Sequence, residues 1–313
     1  MENVDDLAEL ERLPGVCGVK IFMGASTGNL LVPDDMNLLR ALRVGRRRVA
    51  VHAEDEPRMN ARQHFRTHDD PSSHPVWRDA QSALKATRRL IRLARIAGRR
   101  VHVLHVTTAD EMGFLAANKD IATVEATPQH LTLKAETAYA RLGTRAQMNP
   151  PIRSAAHRAG LWWALNQGVV DVIGSDHAPH TLEEKARPYP LSPAGMPGVQ
   201  TLVPILLNHV ARGRLSLARF VDLTSAGPNR VFGIAGKGRM ARGYDGDLTL
   251  VDLKRKETIR DADMANRSGW TPFDGMRVTG WPVMTIVRGQ VAMRDGELTS
   301  RDIGRPVRFQ ETL

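Results

Sequence analysis

The chain has 313 residues, of which 42% are hydrophobic and 25% charged, with a formal charge of +10 at pH 7. That length allows a sizeable core plus a smaller companion unit, and no apolar run approaches the length of a membrane span. Cys17 is the only cysteine, which excludes internal disulfides and cysteine-rich zinc sites; the acidic start Met1–Asp6 lacks an apolar signal core, so the expected location is cytoplasmic.

Through the first two thirds, short β-branched runs alternate with longer helical patterns. The predicted strands are 15–22, 49–53, 101–106, 122–126 and 169–175. Between them, 80–97 carries an apolar stripe (Ala83, Leu84, Leu90, Ile91, Ala94) opposite arginines, with Gly98 as its C-cap. Thr108-Ala109-Asp110-Glu111 has the spacing of a capping box and opens a helix after the third strand. Repeated β-then-α units predict a parallel sheet, doubly wound or a barrel. After about residue 235 the pattern changes to period two, in 246–253 and 285–292, with Asp295-Gly296 as a hairpin signal. The expected division is residues 1–234 as a parallel α/β unit and 235–313 as a small antiparallel β unit.

The predicted strands end in chemistry. Val170-Asp171-Val172-Ile173-Gly174-Ser175-Asp176-His177-Ala178-Pro179-His180 is a buried-strand pattern stopping at a carboxylate, at the end where α/β barrels place their sites. Asp176 there can bind a metal, move a proton, or both. His52 and His105 end the second and third strands, and neutral imidazole is the commonest side-chain metal ligand. Lys20 lies among apolar neighbours in the first strand, where its charge must be paired or removed; carbamylation would make it a bridging carboxylate, and an ordinary ion pair is the plainer reading. Glu125 ends the fourth strand as a ligand, an orienting group or an arginine partner. His102, an odd number of residues from His105, is expected on the other face of its strand. Prolines stiffen Met148-Asn149-Pro150-Pro151-Ile152-Arg153, so Asn149 and Arg153 are held toward a ligand or form a rigid surface turn. Gly24-Ala25-Ser26-Thr27-Gly28 lacks the ending of a phosphate loop, and no nucleophile elbow is present. The arginines, including Arg46-Arg47-Arg48, Arg88-Arg89, Arg99-Arg100 and Arg158, are spread over many segments. They read as solvated surface charge that draws anionic small substrates, with no nucleic-acid or membrane partner expected.

The Lys, His, His, Asp series at successive strand ends resembles the metal-dependent amidohydrolase superfamily, and within it dihydroorotase. The matching segments include Gly18–Met23, Val51–Glu54, Val103–Val106, Glu125–Leu131, Asn149–Arg153, Ser175–Lys185, Met196–Gly198 and Trp270–Gly275. The resemblance implies a TIM-barrel-like metal-dependent hydrolase with two zinc ions. Lys20, as a carbamate, would bridge them; His52 and His105 would hold one; Asp176 would hold the other and shuttle the proton. His180 would bind a substrate carboxylate, with Asn149 and the Pro197-Gly198 backbone against the ring, and Glu125 as an orienting group or a ligand for a further metal. The implied reaction interconverts dihydroorotate and N-carbamoyl-aspartate. Related alternatives are a hydantoinase, dihydropyrimidinase or allantoinase, or an inactive subunit paired with aspartate carbamoyltransferase; a homodimer is the other assembly implied. The family's His-x-His pair has no counterpart before Lys20. The match therefore sets Lys20 on the fourth barrel strand, and an incomplete barrel (strands four to eight) is expected, from a piece of a longer product or a degenerate homologue that binds one metal poorly.

Overall fold

The computed structural model describes residues 3–26, 30–32, 34–300 and 302–310; Thr27 and Gly28 of the glycine-containing segment lie outside them. Five parallel strands run in sequence order across one sheet: β1 (Val19–Phe22), β2 (Val49–His52), β3 (Val101–Val103), β4 (Ala122–Ala126) and β5 (Val172–Ile173). Each falls inside a predicted segment, but most ladders are shorter than the apolar runs. The paired backbone stops before His105 and Asp176, which sit in the left-handed region at φ 36° and 41°. Left-handed backbone is uncommon outside glycine, so these two positions turn sharply at the carboxyl ends of their strands.

Helices Asp35–Arg43, Ala80–Ala97, Ala109–Ala116 and Ala155–Asn166 fill the crossovers. The Ala80–Ala97 helix forms where its pattern predicts. The Asp79 side chain accepts the Ser82 N–H, Gly98 closes it at φ 63°, and the predicted apolar stripe is buried. The Thr108 side chain caps the next helix through the Glu111 N–H. Gly160 and Ala109 show how close two of these helices come: a Cβ on Gly160 would lie 2.3 Å from that of Ala109.

The antiparallel unit is a second sheet of β6 (Leu248–Thr258), β7 (Arg277–Val287), β8 (Gln290–Arg294) and β9 (Glu297–Leu298), in that order. Segment 285–292 is not one strand, as its alternation suggested. Arg288 and Gly289, at φ 48° and 79°, turn it back into a hairpin between β7 and β8. Two successive residues at positive φ match the twist of antiparallel strands, so the glycine, not the alternation, decides the local structure. Asp295-Gly296 makes the next turn, as expected. This sheet seats against the barrel unit through a second core in which Ile259, Trp270, Phe273 and Val278 meet Tyr139, Met148, Ile152 and Met196. Gly280, at φ 97°, lets β7 approach the Leu202–Ala211 helix; a Cβ there would lie 2.6 Å from Leu207 Cβ.

Candidate active site

Two buried histidines form the centre. His52, the last residue of β2, and His105, just beyond β3, bring Nδ1 and Nε2 to 3.1 Å of each other. Two imidazole nitrogens bound to one tetrahedral zinc, at about 2.0–2.1 Å each, would be separated by roughly 3.3 Å. Burial lowers the pKa of both rings; His105 falls well below the ordinary imidazole value, with the charges of His52 and Lys20 adding to the effect. Both rings are therefore neutral, the ligand form. His52 Nε2 lies 3.1 Å from Glu54 Oε2, so its proton points to the carboxylate and its Nδ1 lone pair faces His105. Glu54 in turn is clamped by the Arg78 guanidinium, with Nε 3.2 Å from Oε2. Burial works against the Glu54 charge, but Arg78 and His52 outweigh it and hold the carboxyl well below its usual range. His105 Nδ1 is buried without a hydrogen-bond partner among the described residues. Glu54 and Arg78 escaped the sequence reading; the visible signal was His52-Ala53-Glu54, a carboxylate two residues beyond a strand-end histidine.

Lys20 and Asp176 face the same mouth. Lys20 is exposed, contrary to the buried position expected, because β1 is an edge strand whose outer side carries only a bridge from Phe22 to Leu31 among the described residues. Its ammonium lies 4.6 Å from the Phe22 ring centroid. Partial desolvation in the concave mouth lowers its pKa, opposed by the charges of Asp176 and Glu125. Asp176 is pushed up to about 6 by burial and by Glu125, with Lys20 opposing. Glu125 turns below the histidine pair, where Oε1 accepts the His105 N–H at 3.2 Å and Oε2 lies 3.5 Å from His102 Nε2. His102 and His105 thus both neighbour Glu125. The alternation argument fails because the ladder ends at Val103 and His105 itself has left-handed backbone, at φ 36°. Among the described residues, no group of three or more His, Cys, Asp or Glu side chains is arranged to hold a cation; the histidine pair supplies two donors and Lys20 would have to supply another.

The residues expected to meet substrate are held by their neighbours. Asn149 is buried, its Oδ1 3.0 Å from His74 Nε2. Arg153 is buried rather than part of a surface turn, with Nε donating to Thr107 Oγ1 at 3.2 Å and Nη2 left without an acceptor among the described residues. His180 is half-buried; its Nδ1 lies 3.4 Å from Glu184 Oε2, and its carbonyl accepts the Trp270 indole N–H at 2.8 Å. Pro197 and Gly198 are buried beside the end of β5, and the Gly198 N–H donates to His177 Nδ1 at 3.1 Å. A Cβ on Gly198 would lie 2.3 Å from the Ser175 carbonyl oxygen, so only glycine allows that approach. His74, His177 and Trp270 are supports that sequence alone did not single out as such, because their roles depend on contacts distant in the chain.

A model described as the amidohydrolase family matches residues 87–292. The chain is 40% identical over 260 residues to a dihydroorotase from Halobacterium salinarum, covering 83% of this chain and 60% of that protein. It is 36% identical over 289 residues to a dihydroorotase from Pyrococcus furiosus, covering 92% and 63%. The chain therefore spans less than two thirds of the length of these relatives. Among solved structures, it superposes on the L-hydantoinase (dihydropyrimidinase) from Arthrobacter aurescens with a TM-score of 0.89 at 29% identity, over 95% of this chain and 69% of that one. Strand order, site position and these matches agree that the chain belongs to the amidohydrolase family, as a dihydroorotase-like member with a TIM-barrel-like fold.

Proposed function

We propose that the chain carries most of the site of a zinc-dependent cyclic amide hydrolase of dihydroorotase type, interconverting dihydroorotate and N-carbamoyl-aspartate. The observation that carries this reading is the pair of neutral, buried imidazoles 3.1 Å apart, facing the mouth shared by Lys20 and Asp176. His52 and His105 would hold one zinc, Lys20 as a carbamate would bridge to a second, and Asp176 would be a ligand of that second ion. Bound zinc supplies Lewis-acid polarisation of the amide carbonyl and a water acidic enough to attack at neutral pH. The protein's own groups do the rest. Glu54, fixed by Arg78, sets the His52 tautomer, the arrangement by which carboxylates orient metal-binding histidines. Asp176, with its pKa raised to about 6, can accept a proton from the attacking water and return it to the leaving ring nitrogen near neutral pH. His180 would meet the carboxylate of the substrate, and Asn149, fixed by His74, would meet the ring with the Pro197-Gly198 backbone nearby. The Gly198 N–H must leave His177 to serve as a donor to substrate; its carbonyl need not.

The likeness to a hydantoinase structure favours a second reading, in which the substrate is a hydantoin or dihydropyrimidine without a carboxylate. His180 argues against it. Turnover of dihydroorotate and dihydrouracil, compared in the zinc-loaded protein, decides between them. Preference for dihydroorotate that is lost in His180→Ala supports the carboxylate contact; preference for dihydrouracil removes it. A preparation free of zinc, without turnover of either and co-purifying with aspartate carbamoyltransferase, would support the inactive-partner reading instead.

A further inference from the structure

We propose that an arginine-lined cavity at the amino-terminal ends of β2 and β3, at the opposite end of the sheet from the histidine pair, binds a small oligophosphate anion. Arg46-Arg47-Arg48 lead into β2 and Arg99-Arg100 lead into β3. The clusters are far apart in sequence, but β2 and β3 are neighbours with Val49 opposite Val101, so Arg48 and Arg100 are brought side by side. The cavity has a volume of 750 Å³, and among the described residues its lining includes seven arginines and no carboxylate. Charge that reads as dispersed along the chain is gathered by the topology.

Part of that charge is satisfied from within: Arg230 pairs with Asp222 at 2.7 Å, and Arg47 donates Nε to the Glu11 carbonyl at 2.8 Å and lies over the Phe309 ring. The buried Glu11 carboxylate is taken up by the backbone N–H groups of Arg46 at 2.5 Å and Arg47 at 3.1 Å, and by Arg99 Nη2 at 3.4 Å. Arg48 spends Nε and Nη1 on the carbonyls of Val231 and Val101. Arg43, Arg46 and Arg100 are exposed and have no side-chain partner among the described residues. Two donors are buried with no acceptor among the described residues: Arg47 Nη1 and, on a residue only 6% exposed, Arg99 Nε. Buried donors in folded proteins are almost always paired, so these two, which have no acceptor among the described residues, can take one from a bound anion. Guanidinium groups match phosphate oxygens in pairs. The volume lies within the roughly 300–1,000 Å³ of small-molecule sites, which suits a nucleotide-sized ligand. Leu42, Val231 and Phe232 give one wall an apolar surface on which a base could rest.

The test is titration calorimetry of the 313-residue chain with inorganic tripolyphosphate and, separately, with ATP in the absence of magnesium, at constant ionic strength set with a chloride salt. The expected result is saturable binding of one anion per chain, weakened at least tenfold in the Arg46→Ala/Arg100→Ala double variant. The Arg239→Ala/Arg267→Ala double variant, which removes two exposed arginines elsewhere, should bind as the parent does. Tighter binding of ATP than of tripolyphosphate would add the base to the recognised groups; equal binding would confine recognition to phosphate. Absence of saturable binding, or equal weakening in both double variants, overturns the site. All four side chains are exposed, so both variants should unfold at the parent's temperature, and a lost signal cannot be ascribed to misfolding.

Discussion

Glu54 holds the site's geometry through two contacts, the His52 ring and the Arg78 guanidinium, and all three residues are buried. Replacing it with glutamine leaves a buried guanidinium without its counter-charge, at a cost of about 3–5 kcal/mol. The same change frees the His52 ring, and loss of such an orienting carboxylate typically lowers metal affinity by roughly 10–100-fold. Denaturant titration and competition against a zinc chelator should show both effects together; unchanged zinc affinity would detach Glu54 from the metal site. Asp176 gives a pH signature. Its folded pKa is raised to about 6 from 3.8, so the folded state binds the extra proton between those values. Stability from this group is complete below the unfolded pKa and is lost as pH rises through 6. Asp176→Asn removes that loss: in chelator it should be more stable than the parent at pH 7.5 by on the order of 3 kcal/mol, the gap closing toward pH 4. In the zinc-loaded protein the same variant should have no measurable turnover. A stability gap independent of pH would contradict the raised pKa.

Trp270 links the second sheet to the mouth, because its buried indole both fills the second core and donates to the His180 carbonyl. Trp270→Phe keeps most of the packing and loses the hydrogen bond, so it should cost about 1 kcal/mol and raise KM for the carboxylated substrate more than it lowers kcat. Equal KM in parent and variant would make the contact purely structural. The elements that sequence revealed well are those whose signal is local. The Ala80–Ala97 helix has its cap, stripe and terminal glycine in one stretch, and the strands announce themselves as β-branched runs. Alternation in segment 285–292 marked the β unit but not its hairpin, because the period continues through a two-residue turn into the next strand. Lys20 was misplaced because burial depends on which strands stand beside β1, and no local pattern encodes that. The His52–Glu54–Arg78 network and the His74–Asn149 contact were invisible for the same reason: their partners meet only after the chain folds.

Across the molecule, the parallel sheet is open among the described residues. β1 pairs with β2 and through one bridge with Leu31, and β5 pairs only with β4. Unpaired strand edges are templates for association, so the 313-residue chain alone should bind a hydrophobic dye and sediment as concentration-dependent species; a dye-silent monomer would show that those edges are covered. The site sits at the carboxyl ends of these strands and the arginine cavity at their amino ends, so the two can be perturbed separately. The account rests on His52 and His105 binding one metal ion together. X-ray absorption of the zinc-loaded protein reads this in the metal's own coordination shell. Two imidazole nitrogens at about 2.0–2.1 Å, reduced to one in His52→Ala and in His105→Ala, is the expected result. A zinc spectrum unchanged by both substitutions would contradict it.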